Sequence, residues 1–280
     1  MDDDVISTTR AELTETEKPP LRERIAENPE PALRWGAVMA FLVLIEIFTF
    51  AEIAVTLGQA LVVAVTGLFD IIVSLISPAA GAAIVDVQTA ITGFLDGIRV
   101  FLEQLPTVLG REVIPNQGYQ TGPDGPWVGT FLGLSPAVAW AIRFTLLVAY
   151  TIFTAYWIFR GWLVFRDNYR HAGWTPTDDI IRRLRGHRWG QFGIVVLILF
   201  LMMATFGPAL SPSTVEQNIQ SPYSHDIQYF SEETGEVEAV AAGTANFESK
   251  SKGSVGQNIA PMTYDDYGRF HPFGTLPNGR

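Results

Sequence analysis

The sequence predicts an all-α integral membrane protein with three transmembrane helices, an external amphipathic helical hairpin, and a polar, partly irregular C-terminal external segment. Three observations lead there. Apolar residues make up 48% of the 280 positions and lie in long blocks, not in the short periodic patterns of a soluble core. Charged residues are only 17%, and their sign changes from block to block. Cysteine is absent, which removes disulfide-stapled and cysteine-ligated metal folds, while the hydrophobic content removes disorder.

Residues 1–34 form a polar tail with nine acids, five bases and four prolines, holding one short helix at 21–26. The tail opens on Asp2, Asp3 and Asp4 and so lacks the basic start of a secretory signal. Residues 35–57 form the first block long enough to cross the hydrocarbon layer, interrupted only by Glu46 and Glu52. Residues 137–159 form the second, with Arg143 as its single charge and Trp140, Tyr150, Tyr156 and Trp157 toward its ends. The third lies within 189–210, which contains no charge, and Pro208 and Pro212 are expected to stop it.

The bases set the orientation. Seven arginines against three acids in 160–188 place this connection in the cytoplasm, and Arg22, Arg24 and Arg34 place the N-terminus on the same side. Its simplest reading is a topology signal with anionic lipid contact. Residues 58–136 must then cross an even number of times. Ile84, Val87, Ile91, Phe94, Ile98 and Leu105 fall on one stripe of 82–105, and Asp86, Asp96, Arg99 and Glu103 on another. With Asp70 in the preceding stretch, this favours an external hairpin resting on the membrane, two buried crossings being the alternative. Residues 106–136, rich in Gly and Pro, form an external loop. Residues 211–280 form an external polar segment with a hairpin candidate at 227–230 and 237–241 around Gly235.

The plasma membrane is the expected location. A net charge of −10 with 16 Arg and only three Lys argues against nucleic acid as a partner and suits a high-salt habitat. The charges inside apolar blocks are the candidate functional residues, since a mid-helix charge costs about 3 kcal/mol. Glu52 and Arg143 lie at similar depth in antiparallel spans and are expected to pair, mainly as a structural device. Glu46, near mid-membrane without an obvious partner, is the stronger functional candidate. The four histidines have no metal-ligand spacing, and no catalytic or cofactor motif is present, so neither cofactor nor enzymatic activity is expected.

From Trp189 onward the chain resembles the N-terminal portion of a permease subunit of the dipeptide, oligopeptide and nickel class of ABC importers. The resemblance rests on the span ending Phe206, Gly207, Pro208, Ala209, Leu210, on the polar segment after it, and on the run 267–280 with His271, Pro272, Gly274, Thr275, Gly279 and Arg280. Leu276 stands where the family usually has Asp. The resemblance implies half of a membrane pathway for peptides or similar small solutes, with a second permease subunit, cytoplasmic ATPase subunits and an external solute-binding protein as partners. The family's later spans and its Glu-Ala-Ala coupling loop have no counterpart, because Glu238, Ala239 and Val240 match the loop only by composition. The chain is therefore expected to be a fragment or a split subunit preceded by a two-span module at 35–159. The competing expectation is a structural or assembly membrane protein with an external interaction surface.

Overall fold

A computed structural model describes residues 19–103, 105, 107–211, 217, 223–252 and 259–275. The described part is mostly helical: α1 (Leu21–Glu27), α2 (Glu30–Ile45), α3 (Ile47–Ser74), α4 (Pro78–Glu103), α5 (Pro136–Asn168), α6 (Pro176–Gly186), α7 (Arg188–Leu210) and α8 (Ala242–Lys252). Short antiparallel ladders join β1 (Tyr119–Gln120) to β2 (Trp127–Val128), β3 (Asp226–Ser231) to β4 (Glu236–Ala241), and β5 (Thr263–Tyr264) to β6 (Phe270–His271).

Among the described residues four helices, not the expected three, are long and apolar enough to cross a membrane: Ile47–Ser74, Pro78–Leu102, Pro136–Asn168 and Arg188–Leu210. The difference begins at Glu46. The block at 35–57 is not one helix, because Glu46 leaves helical geometry (φ −119°, ψ 30°) and separates α2 from α3. The second half of the block instead runs on through the stretch expected to lie on the surface, giving a 28-residue helix about 42 Å long.

Polar side chains link α3 to α4. Thr66 Oγ1 donates to Gln88 Oε1 at 2.8 Å, and Gln59 Nε2 donates to the Thr92 carbonyl at 3.3 Å. Asp70 and Ser74 lie against Gly81, where a Cβ would come within 2.9 Å of either side chain. Arg99 pairs with Asp96 at 2.9 Å, while the side chain of Glu103 lies outside the description. Leu57, Leu61, Leu68, Phe69 and Ile71 on α3 remain exposed, an apolar surface suited to lipid.

The chain divides into two compact units, and α2, α5 and α7 each contribute to both. One unit holds the described residues up to Leu42 together with Ile152–Leu197. Here Trp35 Nε1 donates to the Trp157 carbonyl at 2.9 Å, and Gly161 has no Cβ because the Trp35 ring occupies its space. The Tyr169 hydroxyl accepts from the Ala32 amide and donates to the Asn28 carbonyl, tying the start of α2 to the end of α5. A capping box opens α6, with the Asp178 carboxylate accepting from the Thr175 amide at 2.8 Å.

The other unit holds Val43–Thr151 and the described residues from Ile198 onward. Its core joins Leu109, Trp140, Leu147, Met202, Phe206, Leu210 and Phe270. The Trp140 ring stacks on Phe144 and meets the edges of Phe270 and Phe273. The β3–β4 hairpin pairs Ile227 with Val240 and Phe230 with Val237, and Gly235 (φ +71°) supplies the left-handed turn residue. Glu238 and Ala239 lie in β4, a strand, and not in a helical coupling loop. The last four residues of α7 include Pro208, so the proline expected to stop the helix lies inside it.

Candidate functional site

The end of α7 explains both the tolerated proline and the buried arginine. A helix leaves its last carbonyls without intrahelical donors and carries partial negative charge there, and in an apolar medium water cannot supply the missing bonds. Here each is met. Gly207 accepts from the Ser211 amide at 3.1 Å, Pro208 from Arg111 at 3.0 Å, Ala209 from Arg143, Leu210 from Trp140 Nε1 at 3.1 Å, and Ser211 from Arg111 at 2.9 Å. Two guanidinium groups and an indole from residues 111–143 thus close a helix that begins at residue 188. Arg111 is buried enough that its guanidinium is pushed below its ordinary pKa, with the neighbouring Glu112 carboxylate opposing the shift.

Arg143 therefore does not take the partner expected from depth alone. Its second guanidinium nitrogen donates to the Ile114 carbonyl, and its hydrogen bonds go to backbone oxygens, not to Glu52. The reason is geometric: a helix terminus presents carbonyls already aligned and desolvated, whereas a glutamate on α3 would have to be brought there. Arg143 is fully buried, and its Nε–H has no acceptor among the described residues.

Glu46 is not an isolated mid-span charge either. Its Oε1 accepts from the Leu109 amide at 3.0 Å and its Oε2 from Thr49 Oγ1 at 2.9 Å, so it sits level with the loop after α4. By leaving the helix at this one residue, the chain starts α3 and fastens it to that loop. Glu46, Glu52, Asp96, Arg99, Arg111 and Glu112, with apolar residues of α3, α4 and α7, line a cavity of about 850 Å³. Glu46 and Glu52 both line it, and Arg143 does not.

The resemblance-bearing run forms a compact knot. Asp265 accepts from the Tyr267 and Arg269 amides, from Arg269 Nε at 2.6 Å and from His271 Nε2 at 3.1 Å. Burial raises the Asp265 carboxyl, but the His271 bond, the Arg269 charge and the backbone donor outweigh it and hold it below the usual range. Arg269 also donates to Asn246 at 2.7 Å. Thr275 exchanges two bonds with Ile259, and Gly274 (φ +76°) sits where a Cβ would come within 2.7 Å of the Ile259 carbonyl. His271 and Phe270 are buried, Pro272 turns the chain between β6 and Gly274, and Gly279 and Arg280 lie outside the described residues. These side chains stabilise one another; among the described residues no cluster of His, Asp and Glu is arranged to hold a metal.

Arg111, Trp140 as a donor, Asn246 and Asp265 were not singled out from the sequence. Arg111 had one available signal: it is the lone base in the Gly- and Pro-rich loop directly before the α5 block.

Four apolar helices among the described residues and exposed aliphatic faces point to a multi-pass helical membrane protein. Within it, residues 175–228 match the family described as the N-terminal TM domain of oligopeptide transport permease C (OppC_N). The match covers α6, α7 and the start of β3, about a fifth of the chain, and ends before the run at 267–280. Over that segment the chain resembles ABC peptide permeases. No curated protein and no solved structure gives a significant match.

Proposed function

We propose that this protein is the permease-type subunit of an ABC importer for peptides or similar small solutes, acting in the plasma membrane. The match of residues 175–228 to the permease N-terminal domain carries this reading. The reading assigns ATP hydrolysis to cytoplasmic partner subunits and substrate delivery to an external solute-binding protein, with a second permease subunit completing the pathway. The arginine-rich connection between α5 and α7 faces the cytoplasm, which puts the far ends of both helices and the β5–β6 knot outside. In this arrangement the residues before α5 anchor the permease-like helix: Arg111, Trp140 and Arg143 hold its external end in register.

Affinity purification of the tagged chain from its native membrane in mild detergent tests the proposal. Recovery of an ATPase subunit in near-stoichiometric amount, together with loss of labelled-peptide uptake on deletion, is the expected result. Intact recovery of the chain with other membrane proteins but no ATPase overturns it.

A further inference from the structure

The connection between α5 and α7 contains a surface that the transport reading does not use. At 100° per residue, the 11 residues of α6 place Ile180, Ile181 and Leu184 on one face, Arg183 and Arg185 on its two flanks, and Asp179, Arg182 and Gly186 opposite. The helix buries none of its residues. Ile180 is 64% exposed, and exposed tryptophans stand at either end, Trp174 before the helix and Trp189 just after it. Ile181 and Leu184 are half-buried, and Ile180 with the two tryptophans leaves apolar surface open beside them.

The charges are equally unbalanced. Asp178 is taken by Arg170 at 2.7 Å and by the capping box, and Asp179 by Arg182 on the polar face. Arg183, Arg185 and Arg188 make no side-chain hydrogen bond or ion pair among the described residues, so two guanidinium groups flank the apolar stripe and a third follows at the start of α7. A covering protein would be expected to bring acids to those flanks; an anionic bilayer brings both acyl chains and phosphates.

Position selects between them. Only His187 separates α6 from α7, a helix long and apolar enough to cross the membrane. The corner is fixed, since His187 Nδ1 accepts from the Gly190 amide at 2.9 Å and Gln191 Nε2 donates to the Arg185 carbonyl at 2.8 Å. The start of a crossing helix lies at the headgroup level, which is where amphipathic rings such as Trp189 reside.

We propose that α6 lies in the plane of the membrane surface, with Ile180, Ile181 and Leu184 in the acyl-chain boundary and Arg183, Arg185 and Arg188 on the phosphates of anionic lipids. This assignment depends only on the chain being a membrane protein, not on what it transports. A bilayer rich in anionic lipid thereby fixes the entry angle of α7.

The natural chain has no cysteine, so single nitroxide labels can be placed at will. Full-length I180C and G186C are reconstituted in vesicles of phosphatidylcholine with or without phosphatidylglycerol. With phosphatidylglycerol, the label at 180 should be reached by oxygen and shielded from a water-soluble nickel chelate, and the label at 186 the reverse. Without it, the contrast should fall. In the otherwise native chain, preference of neighbouring lipids for phosphatidylglycerol, read by brominated-lipid quenching, should drop about fivefold in Arg185→Gln. Chelate access at 180 in both vesicles overturns the proposal, as does shielding from both reagents, the mark of a protein cover. An unchanged lipid preference in Arg185→Gln together with equal contrast in the two vesicle types overturns it too.

Discussion

Replacing Arg143 with Met removes the donor to a buried carbonyl, Ile114, and a partly buried one, Ala209, while nearly filling the same volume. Each buried carbonyl left without a donor costs about 1–3 kcal/mol, and more than a neutral bond would suggest because the lost donor was charged. Against this, the variant no longer holds a guanidinium away from water, one of whose N–H groups lacks an acceptor. The net expectation is a loss of about 3 kcal/mol, roughly a hundredfold in the unfolding equilibrium. Titration with SDS in mixed micelles, followed by tryptophan fluorescence, should show R143M unfolding at a lower SDS fraction. Arg143→Lys should fall between, since one ammonium cannot span both oxygens. The double charge swap E52R with R143E should be no better than R143E alone. Wild-type stability in R143M, or rescue by the double swap, refutes the assignment and restores a Glu52–Arg143 pair.

Further predictions follow from the other two clusters. Glu46→Gln keeps an acceptor for the Leu109 amide and should cost less than about 1 kcal/mol, whereas Glu46→Leu strands that buried donor and should cost about 2–3 kcal/mol in the same titration. Gly274→Ala forces a Cβ against the Ile259 carbonyl at a positive φ and should lower stability by at least about 2 kcal/mol, seen as faster proteolysis of the region 259–275. Asp265 has a folded-state pKa below its ordinary 3.8, so its contribution is complete above about pH 4 and lost as pH falls through the folded value. Near-ultraviolet circular dichroism should therefore show an acid transition in this region that Asp265→Asn, already weakened at neutral pH, lacks.

The helical blocks were legible because their signal is additive: the apolar run at 137–159 lies within Pro136–Asn168, and the charge-free stretch at 189–210 nearly coincides with Arg188–Leu210. The β3–β4 hairpin was legible from Gly235 and its flanking apolar residues. Glu46 was visible as a cost but not as a helix break, since what it satisfies is the amide of Leu109, 63 positions away, and an amide leaves no mark in a sequence. Arg143 was misassigned for the same reason, its acceptors being backbone oxygens that any residue could provide. The stretch 58–105 reads as a surface hairpin from Asp70 and the charges Asp86, Asp96, Arg99 and Glu103, and the sequence does not show that Asp96 and Arg99 pair within α4 or that Asp70 lies against Gly81. In the run at 267–280, the motif residues stood out while Asp265, which receives their hydrogen bonds, lay just outside it.

The seal on α7 also imposes an order on biosynthesis. Arg111 and the Ser211 carbonyl it binds are 100 residues apart, which at about 5–20 residues per second means a wait of about 5–20 s between the two leaving the ribosome. Through all of that interval Arg111 has been made, and through about its last two thirds Arg143 as well, while the helix end they close has not. The insertion machinery must keep them hydrated until then, and a pause or truncation between residues 143 and 211 would leave a nascent chain carrying basic groups with no carbonyls to receive them.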